Sequence, residues 1–509
     1  MPSRFATRLI VAVTVTVAIV AAVTASVLIR VDDEAGARGP LTSHRVGHHS
    51  RPPVKTGHVR PGPKHPNIVL ILTDDQRWDT LWSMPSVRKL LVDHGVTFAN
   101  AFVTNSFCCP SRSTILTGNY SHTTGIYGDH PPHGGALDFH RYGDDKSTIA
   151  TWLQKAGYNT ALVGKYLNGY QGPFVPPGWD TWDAFDYGFG YYGFDLYQNQ
   201  HPPECQGAFK CPVKYPKSAY STSVLAGLAT RFIRTAPTSK PMFLYFAPYA
   251  PHLPATPEHR YAGRFANLPP YRPADFNKVT ASQPAWLKAI RPLRTRGIKF
   301  VAKFRRKQYE SLISVDTAVK NIVAALRATR RLHDTMIVYA SDNGLEWGQH
   351  RFPASVKRTP YDESIRIPLV IRYDPLTTRP TVDHHLVLNT DWAPSWATLA
   401  HVAHPNTEGL DFLPLLRPAH GRVPWRKGFL LESWDGSPPT PDPTYCGIRS
   451  QRFLYTEYKG GAQELYDLAR DPGELHNLVD DRAYRRELDH LHAVMLHDCR
   501  PPPPGFHPH

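Results

Sequence analysis

The stretch Asn67–Leu72 reads N-I-V-L-I-L, an unbroken apolar run too short for an independent helix, and it stops at Thr73-Asp74-Asp75. A run of that length bounded by polar residues predicts a strand buried on both faces. The same signature returns at Thr160–Val163, ending in Gly164-Lys165, and at Met242–Phe246, ending before His252. It returns again at Thr335–Ala340, ending in Ser341-Asp342-Asn343-Gly344, and at Ile367–Ile371. Between these runs the apolar period changes. Val87–Val92 and Ser147–Ala156 read as helices, the second with Ser147 as its N-cap. Leu312, Val315, Val319, Ile322, Val323 and Leu326 recur at helical spacing. Short buried strands alternating with helices predict a three-layer α/β domain. Its polar residues cluster just past the strand ends, the edge at which open α/β sheets bind ligands. Beyond about residue 415 the runs shorten. Ser450–Glu457 and Glu464–Leu468 read as strands of a small terminal sheet, and the tail Pro501–Pro504 reads as loose.

The N-terminus follows another pattern. Leu9–Ile29 is apolar with Thr and Ser and carries no charge; as a helix it spans roughly 30 Å, enough to cross a bilayer. Arg4 and Arg8 precede it, and Arg30, Asp32, Asp33 and Glu34 follow, a bias that keeps the N-terminus inside and sends the remainder out. The run reads as an uncleaved signal anchor; in the alternative, a signal peptide, Val23-Thr24-Ala25 before Ser26 is the cleavage site. Residues 31–64 are a basic Pro/His-rich linker. The expected organisation is therefore 1–30 anchor or signal, 31–64 linker, 65–415 catalytic domain, 416–499 C-terminal subdomain and 500–509 Pro-rich tail.

In a chain of 509 residues, 41% hydrophobic and 11% aromatic content is that of a folded globular protein, and 49 prolines point to many ordered loops. The net charge is +15, to which residues 1–66 contribute nine Lys/Arg against three Asp/Glu. Beside a membrane that segment would meet anionic lipid, and otherwise it is a solvated tether. A positive body favours anionic substrates by steering. No nucleic-acid-binding module accompanies it, and no nucleic-acid partner is expected. Six cysteines in an exported chain suggest oxidation. Cys205 and Cys211 lie close together in a Pro-rich loop and are the first candidate bridge; Cys446 and Cys499 could clip the C-terminal region, and Cys109 stays a thiol.

The strand ends carry candidate chemistry. Asp74, Asp75, Asp342 and Asn343 offer three carboxylates and an amide, a donor set for one hard cation, Ca2+ or alternatively Mg2+. Adjacent carboxylates repel, so keeping both ionised needs a cation or strong hydrogen bonds. Singly, each pair has a plainer reading: Asp-Asp caps helices and Asp-Asn-Gly marks turns. Ser111–Thr117 should open a helix whose N–H groups and dipole favour an oxyanion, with Arg112 beside it. Lys165 and Lys357 are candidates to neutralise charge on the reacting oxygens. His252, held between Pro251 and Pro254, is the candidate proton donor to a leaving alcohol.

Cys108-Cys109-Pro110-Ser111-Arg112 fits Cys-x-Pro-Ser-Arg, and only Cys108 has proline two residues on and arginine four residues on. With Asp-Asp before it and Gly-Lys, Pro-His, Asp-Asn-Gly and Lys after it, the order over roughly residues 65–480 resembles the type I sulfatases. Leu465-Tyr466-Asp467-Leu468 and Asp471-Pro472-Gly473-Glu474 are similar to that family's C-terminal signature. The resemblance implies an alkaline-phosphatase-like three-layer α/β sandwich with a smaller C-terminal α+β subdomain. It implies that a formylglycine-generating enzyme oxidises Cys108 to formylglycine, an aldehyde. One hydroxyl of the hydrated aldehyde attacks sulfur, and the other collapses back to the carbonyl and expels sulfate. It also implies calcium held by Asp74, Asp75, Asp342, Asn343 and the residue made from Cys108, with Arg112, Lys165, His252 and Lys357 in the anion-binding and leaving-group roles.

Within the family, Cys108-Cys109, Gly164-Lys165-Tyr166-Leu167-Asn168 and Pro176-Pro177-Gly178-Trp179 resemble the N-acetylglucosamine-6-sulfatase and heparan endosulfatase branch. Leu167 stands where many relatives have histidine. Glu346 also replaces a frequent histidine, and a carboxylate at the pocket rim would repel a highly sulfated polymer. The implied activity is an exported, calcium-dependent sulfatase acting on a sulfate monoester of a sulfated small molecule or glycan. The alternatives are a phosphoester or phosphonate hydrolase using the same aldehyde, and a membrane-tethered sulfoglycan-binding protein without turnover. The intact set of site residues speaks against the latter.

Overall fold

The computed structural model describes residues 65–172, 174–187, 189–199, 212–417, 423–436 and 443–509. The expected anchor, the linker and the Cys205/Cys211 pair lie outside the described residues. Among the described residues, no helix is long and apolar enough to cross a membrane.

The apolar run at Asn67–Leu72 forms β1 (Asn67–Thr73), with all seven residues buried. Its side chains divide by pleat: Ile68, Leu70 and Leu72 enter one core cluster, and Val69 and Ile71 enter the other. Each fully buried aliphatic side chain contributes roughly 1.5–3 kcal/mol over leaving it in water. β2 (Val96–Phe98) and β3 (Ala101–Phe102) follow, then β4 (Asn159–Gly164), β5 (Thr181–Phe185), β6 (Asp195–Gln198) and β7 (Val213–Lys214). β8 (Met242–Ala247), β9 (Thr335–Ser341), β10 (Leu369–Arg372) and β11 (Thr381–Asp383) complete a ten-stranded sheet ordered β11-β2-β10-β9-β1-β8-β4-β5-β6-β7. The central strands β9, β1, β8, β4 and β5 are parallel. β10 and β6 flank them antiparallel.

Helices cover both faces, as the alternation predicts. Thr295–Ala328, Ser221–Thr235 and Pro85–Leu90 pack on the Val69 side; Cys108–Thr117, Ile149–Lys155 and Trp392–Leu399 pack on the Ile68 side. Ser147 is not the N-cap of the helix read at 147–156. Thr148 caps Ile149–Lys155 in a reciprocal pair with Thr151, because the Ser147 hydroxyl accepts from the Trp152 indole instead, at 3.1 Å.

The C-terminal sheet has four antiparallel strands, β13 (Gly428–Ser433), β14 (Tyr445–Ser450), β15 (Phe453–Tyr458) and β16 (Gln463–Asp467), while β12 (Val387–Leu388) pairs with β3. Ser450 thus ends one strand rather than opening the next. A disulfide joins Cys446 to Cys499, as one of the sequence pairings expected. The tail is not loose: Phe506 is buried among Ile448, Leu488 and Met495, and the His509 amide donates to Glu457 at 2.7 Å.

Candidate active site

The carboxyl ends of β1, β9 and β4 and the loop after β8 converge. Asp74 and Asp75 follow β1 directly, and the Asp75 backbone is left-handed at φ 65°. That costs energy for a non-glycine residue, and local hydrogen bonds hold it: the Asp75 amide donates to Asp342 Oδ1 at 3.1 Å, and the Asp342 amide donates to the Thr73 carbonyl at 3.0 Å. Asn343 Nδ2 donates to Asp75 Oδ1 at 2.7 Å. Gly344 is required next, since a Cβ there would stand 2.1 Å from the Glu363 carbonyl oxygen.

The helix Cys108–Thr117 starts three residues earlier than expected, because Phe107 is extended and Pro110 falls in the first turn, where its missing N–H is not needed. Cys108 is therefore the first helical residue, and the whole helix is buried. Cys108 Sγ lies 3.4 Å from Asp74 Oδ1 and 3.9 Å from Asp75 Oδ1. Lys357 Nζ reaches it at 2.7 Å and donates to Asp75 Oδ1 at 2.5 Å. Lys165 Nζ donates to Asp74 Oδ2 at 2.6 Å. The chain reaches that point through Gly164, where a Cβ would collide with the Ala247 carbonyl oxygen at 2.0 Å. Arg112 is fully buried and donates through Nε to Asp342 Oδ2 at 2.8 Å and through Nη1 to the Lys165 carbonyl at 2.9 Å. Its Nη2 has no hydrogen-bond partner and stands 3.8 Å from Asp74 Oδ2. His252 Nδ1 donates to the Leu253 carbonyl at 2.7 Å, which turns Nε2 toward Asp75 Oδ2, 3.5 Å away.

These contacts bring together the nine candidate site residues Asp74, Asp75, Cys108, Arg112, Lys165, His252, Asp342, Asn343 and Lys357. Asp74, Asp75, Cys108 and His252 bring ligand atoms within 4.8 Å of one another. Asp342 and Asn343 adjoin that group through the bonds above. The donor chemistry fits a hard divalent cation, and Asn343 Oδ1 is buried without a partner beside it. Three carboxylates face three permanent cations, so the cluster is near neutral before any ion or anion enters. Burial alone raises Asp74, but Lys165, His252, Arg112 and Lys357 outweigh it and hold that carboxyl well below the usual range. Asp342 is pushed up to about 6, by burial and by Asp74, against the pull of Arg112. Burial and then Asp74 push the Cys108 thiol well above its ordinary value, against Lys165 and Lys357. An unmodified thiol here stays protonated and is a poor nucleophile.

Three supporting residues escaped sequence reading. Gln308, midway along the long helix, donates to the Asp75 carbonyl at 3.3 Å and the Pro251 carbonyl at 3.2 Å, while Trp347 fixes its amide oxygen at 2.6 Å. Asn389 donates to Ser111 Oγ at 3.1 Å. Asp129 accepts from the Cys109 amide at 3.0 Å. None sits in a motif. Glu346 corrects an expectation: it is fully buried, not at a rim. Its carboxyl accepts from Thr359 at 2.9 Å and Ser364 at 3.2 Å, and burial, with Asp275 adding, pushes it up to about 8. It is neutral near pH 7 and presents no charge to a substrate. Leu167 is buried in the core beside the sheet.

Comparison with known proteins agrees with this geometry. The model of the Sulfatase family matches residues 66–402, and that of the N-sulphoglucosamine sulphohydrolase C-terminal region matches 348–500. The N-acetylglucosamine-6-sulfatase of Homo sapiens is 32% identical over 456 residues, covering 86% of this chain and 80% of that one. A solved structure of a protein in complex with its substrate D-glucosamine-2-N,6-O-disulfate superposes with TM-score 0.75 at 21% identity, over 86% of this chain and 99% of that one. The phosphonate monoester hydrolase of Silicibacter pomeroyi superposes with TM-score 0.67 at 23% identity, over 86% of this chain and 96% of that one. At these identities the two structures establish the shared alkaline-phosphatase-like fold.

Proposed function

The chain belongs to the type I sulfatase family of sulfuric ester hydrolases, and from that premise we propose that it cleaves a sulfate monoester on an amino sugar, free or within a glycan. The observation that carries the reading is the position of Cys108, first residue of a buried helix, between the Asp74/Asp75 carboxylates and the Lys357 ammonium. The amino sugar is favoured by the N-acetylglucosamine-6-sulfatase relative, whose likeness spans most of both chains.

Asp74, Asp75, Asp342 and Asn343 would hold one calcium ion. When bound, it supplies positive charge against the carboxylates and the sulfate oxygens. Formylglycine made from Cys108 supplies a nucleophilic hydroxyl in place of an inert thiol. Cys108 is 1% exposed, so its oxidation by a formylglycine-generating enzyme precedes burial of this helix. The chain's own groups do the rest. Lys165 and the unpartnered Nη2 of Arg112 bind and orient sulfate oxygens. Lys357 offsets charge as it develops near residue 108. His252, with Nδ1 engaged, keeps Nε2 to hold a proton and deliver it to the departing alcohol oxygen. Export is part of the proposal: the Cys446–Cys499 disulfide suits an oxidising compartment, and the apolar run at 9–29 would serve as anchor or signal.

The test is parallel turnover of N-acetylglucosamine 6-sulfate, 4-nitrophenyl sulfate, 4-nitrophenyl phosphate and a phosphonate monoester by matured protein. Both sulfates should be hydrolysed at least about a hundredfold more efficiently than the phosphorus esters. The opposite order would transfer the site to phosphorus, and no turnover of any ester would leave a binding protein.

A further inference from the structure

Positive charge is unevenly placed along this chain. Residues 260–307 hold thirteen Lys/Arg and a single acid, Asp275, which is buried. That stretch carries +12 of the total +15, and residues 1–66 carry another +6, so the remainder of the body is slightly acidic.

Six of these cations lie on the first turns of the helix Thr295–Ala328; Arg305 turns inward over Tyr271, Tyr309 and Trp347, and the other five are Arg296, Lys299, Lys303, Arg306 and Lys307. Steps of three and four residues place all five within an arc of about 100°. The opposite face holds Val301, Phe304 and Gln308, all buried. Arg296, Lys299 and Lys303 are exposed, and Arg306 and Lys307 are half-buried. Among the described residues no carboxylate forms an ion pair with any of the five. Like charges three and four residues apart destabilise a helix, and this stripe leaves that repulsion unrelieved.

Its place in the fold is informative. The helix leads into β9, which is parallel to β1. Its later turns, from Leu312 to Leu326, cover the sheet, while residues 295–307 stand beyond the carboxyl edge, where Asp74 and Asp342 lie. That projection measures about 20 Å. Gln308 marks the border through its bonds to the Asp75 and Pro251 carbonyls. The projecting turns rest on Ala255, Leu345 and Trp347, from the loops that carry His252 and Asn343. The inner face of these turns thus packs on loops of the active site, and the stripe lies on their outer, solvent-facing side.

We propose that this stripe is an exosite for an extended sulfated polysaccharide, one residue of which occupies the site at Cys108. The proposal rests on the sulfatase reading for the reaction, but not for the polyanion binding. A monosaccharide sulfate has no use for cations that far from the reacting atoms, whereas a polyanion lying along them relieves their repulsion.

The experiment is the variant Lys299→Glu/Lys303→Glu/Arg306→Glu, with the Gln triple as a milder companion that preserves helix propensity. Binding of a fluorescent sulfated octasaccharide is titrated at low salt and at about 0.5 M salt. kcat/KM is measured on a sulfated polysaccharide and on 4-nitrophenyl sulfate. Octasaccharide affinity and polymer kcat/KM should fall by about tenfold or more at low salt, with a shallower salt dependence and unchanged aryl sulfate turnover. Unchanged octasaccharide affinity overturns the proposal. So does an equal loss on aryl sulfate, or loss of binding to phosphatidylserine vesicles with octasaccharide affinity retained. If no sulfate ester is turned over by the parent protein, loss of octasaccharide binding still supports the exosite while the hydrolase reading falls.

Discussion

Lys357→Met removes one of three permanent cations from the site without adding bulk. The ammonium is 9% exposed, lies 2.5 Å from Asp75 Oδ1 and 2.7 Å from Cys108 Sγ, and is held well above its usual pKa by Asp75 and Cys108 against burial. It is charged at any working pH, so its loss is a loss of field rather than of a proton. Removing one preorganised donor at a developing charge costs about 10²–10³ in kcat, or roughly 2.7–4 kcal/mol. Breaking a buried pair can cost about 3–5 kcal/mol of stability. Here Asp75 keeps Asn343 Nδ2 at 2.7 Å and His252 at 3.5 Å, which limits the loss to about 1–3 kcal/mol. The assay is steady-state kinetics on one sulfate ester with a parallel melt. A kcat lowered by about two to three orders of magnitude with KM changed less than about threefold is expected. A folded variant whose kcat stays within about threefold of the parent, or whose whole loss sits in KM, refutes the assignment. Lys357→Arg should not rescue, since a planar fork does not replace a point charge in this space.

Glu346→Gln addresses a pH effect. With Glu346 raised from 4.5 to about 8 in the fold, the stability it contributes is present below about pH 4.5 and lost as pH rises through about 8. Melts of the Gln variant should show a shallower decline over that window, and an identical profile would contradict the burial argument. His122 is clamped between Glu408 at 3.0 Å and Glu432 at 3.1 Å, and these bonds, against burial, hold it up to about 10. Its contribution is present below about pH 6.5 and lost as pH rises through about 10. His122→Ala should destabilise by about 3–5 kcal/mol at pH 7 in urea unfolding, and a cost under about 1 kcal/mol would show the clamp to be idle. Cys446→Ser/Cys499→Ser opens a loop of 53 residues, which should cost about 4 kcal/mol and expose Phe506 to proteolysis of the tail; an unchanged melt would contradict it.

Much of the fold was legible because its central strands are buried on both faces and so read as continuous apolar runs. The site was legible because its groups are short motifs at strand ends: Asp74-Asp75, Gly164-Lys165 and Asp342-Asn343. What escaped depends on contacts between distant elements. Gln308 looks like any polar residue in a helix until the helix is laid against the Asp75 and Pro251 carbonyls. The exchange of Ser147 for Thr148 as a cap was decided by the Trp152 indole, which competes for the serine hydroxyl. Glu346 was misplaced at the rim because sequence does not report depth; it lies inside, against Thr359 and Ser364. The tail looked loose from its prolines, but Phe506 and the Cys499 bridge pin it. The basic stripe was diluted in the net charge of the whole chain and emerged once the turns before Gln308 were seen to project past the sheet.

The most direct measurement is the mass of the peptide spanning residue 108 in active protein purified from its native host. A mass about 18 Da below that of the thiol form, reported by a sample that hydrolyses a sulfate ester, is the predicted result. Full sulfatase turnover from protein in which that peptide carries only a cysteine thiol would contradict the account.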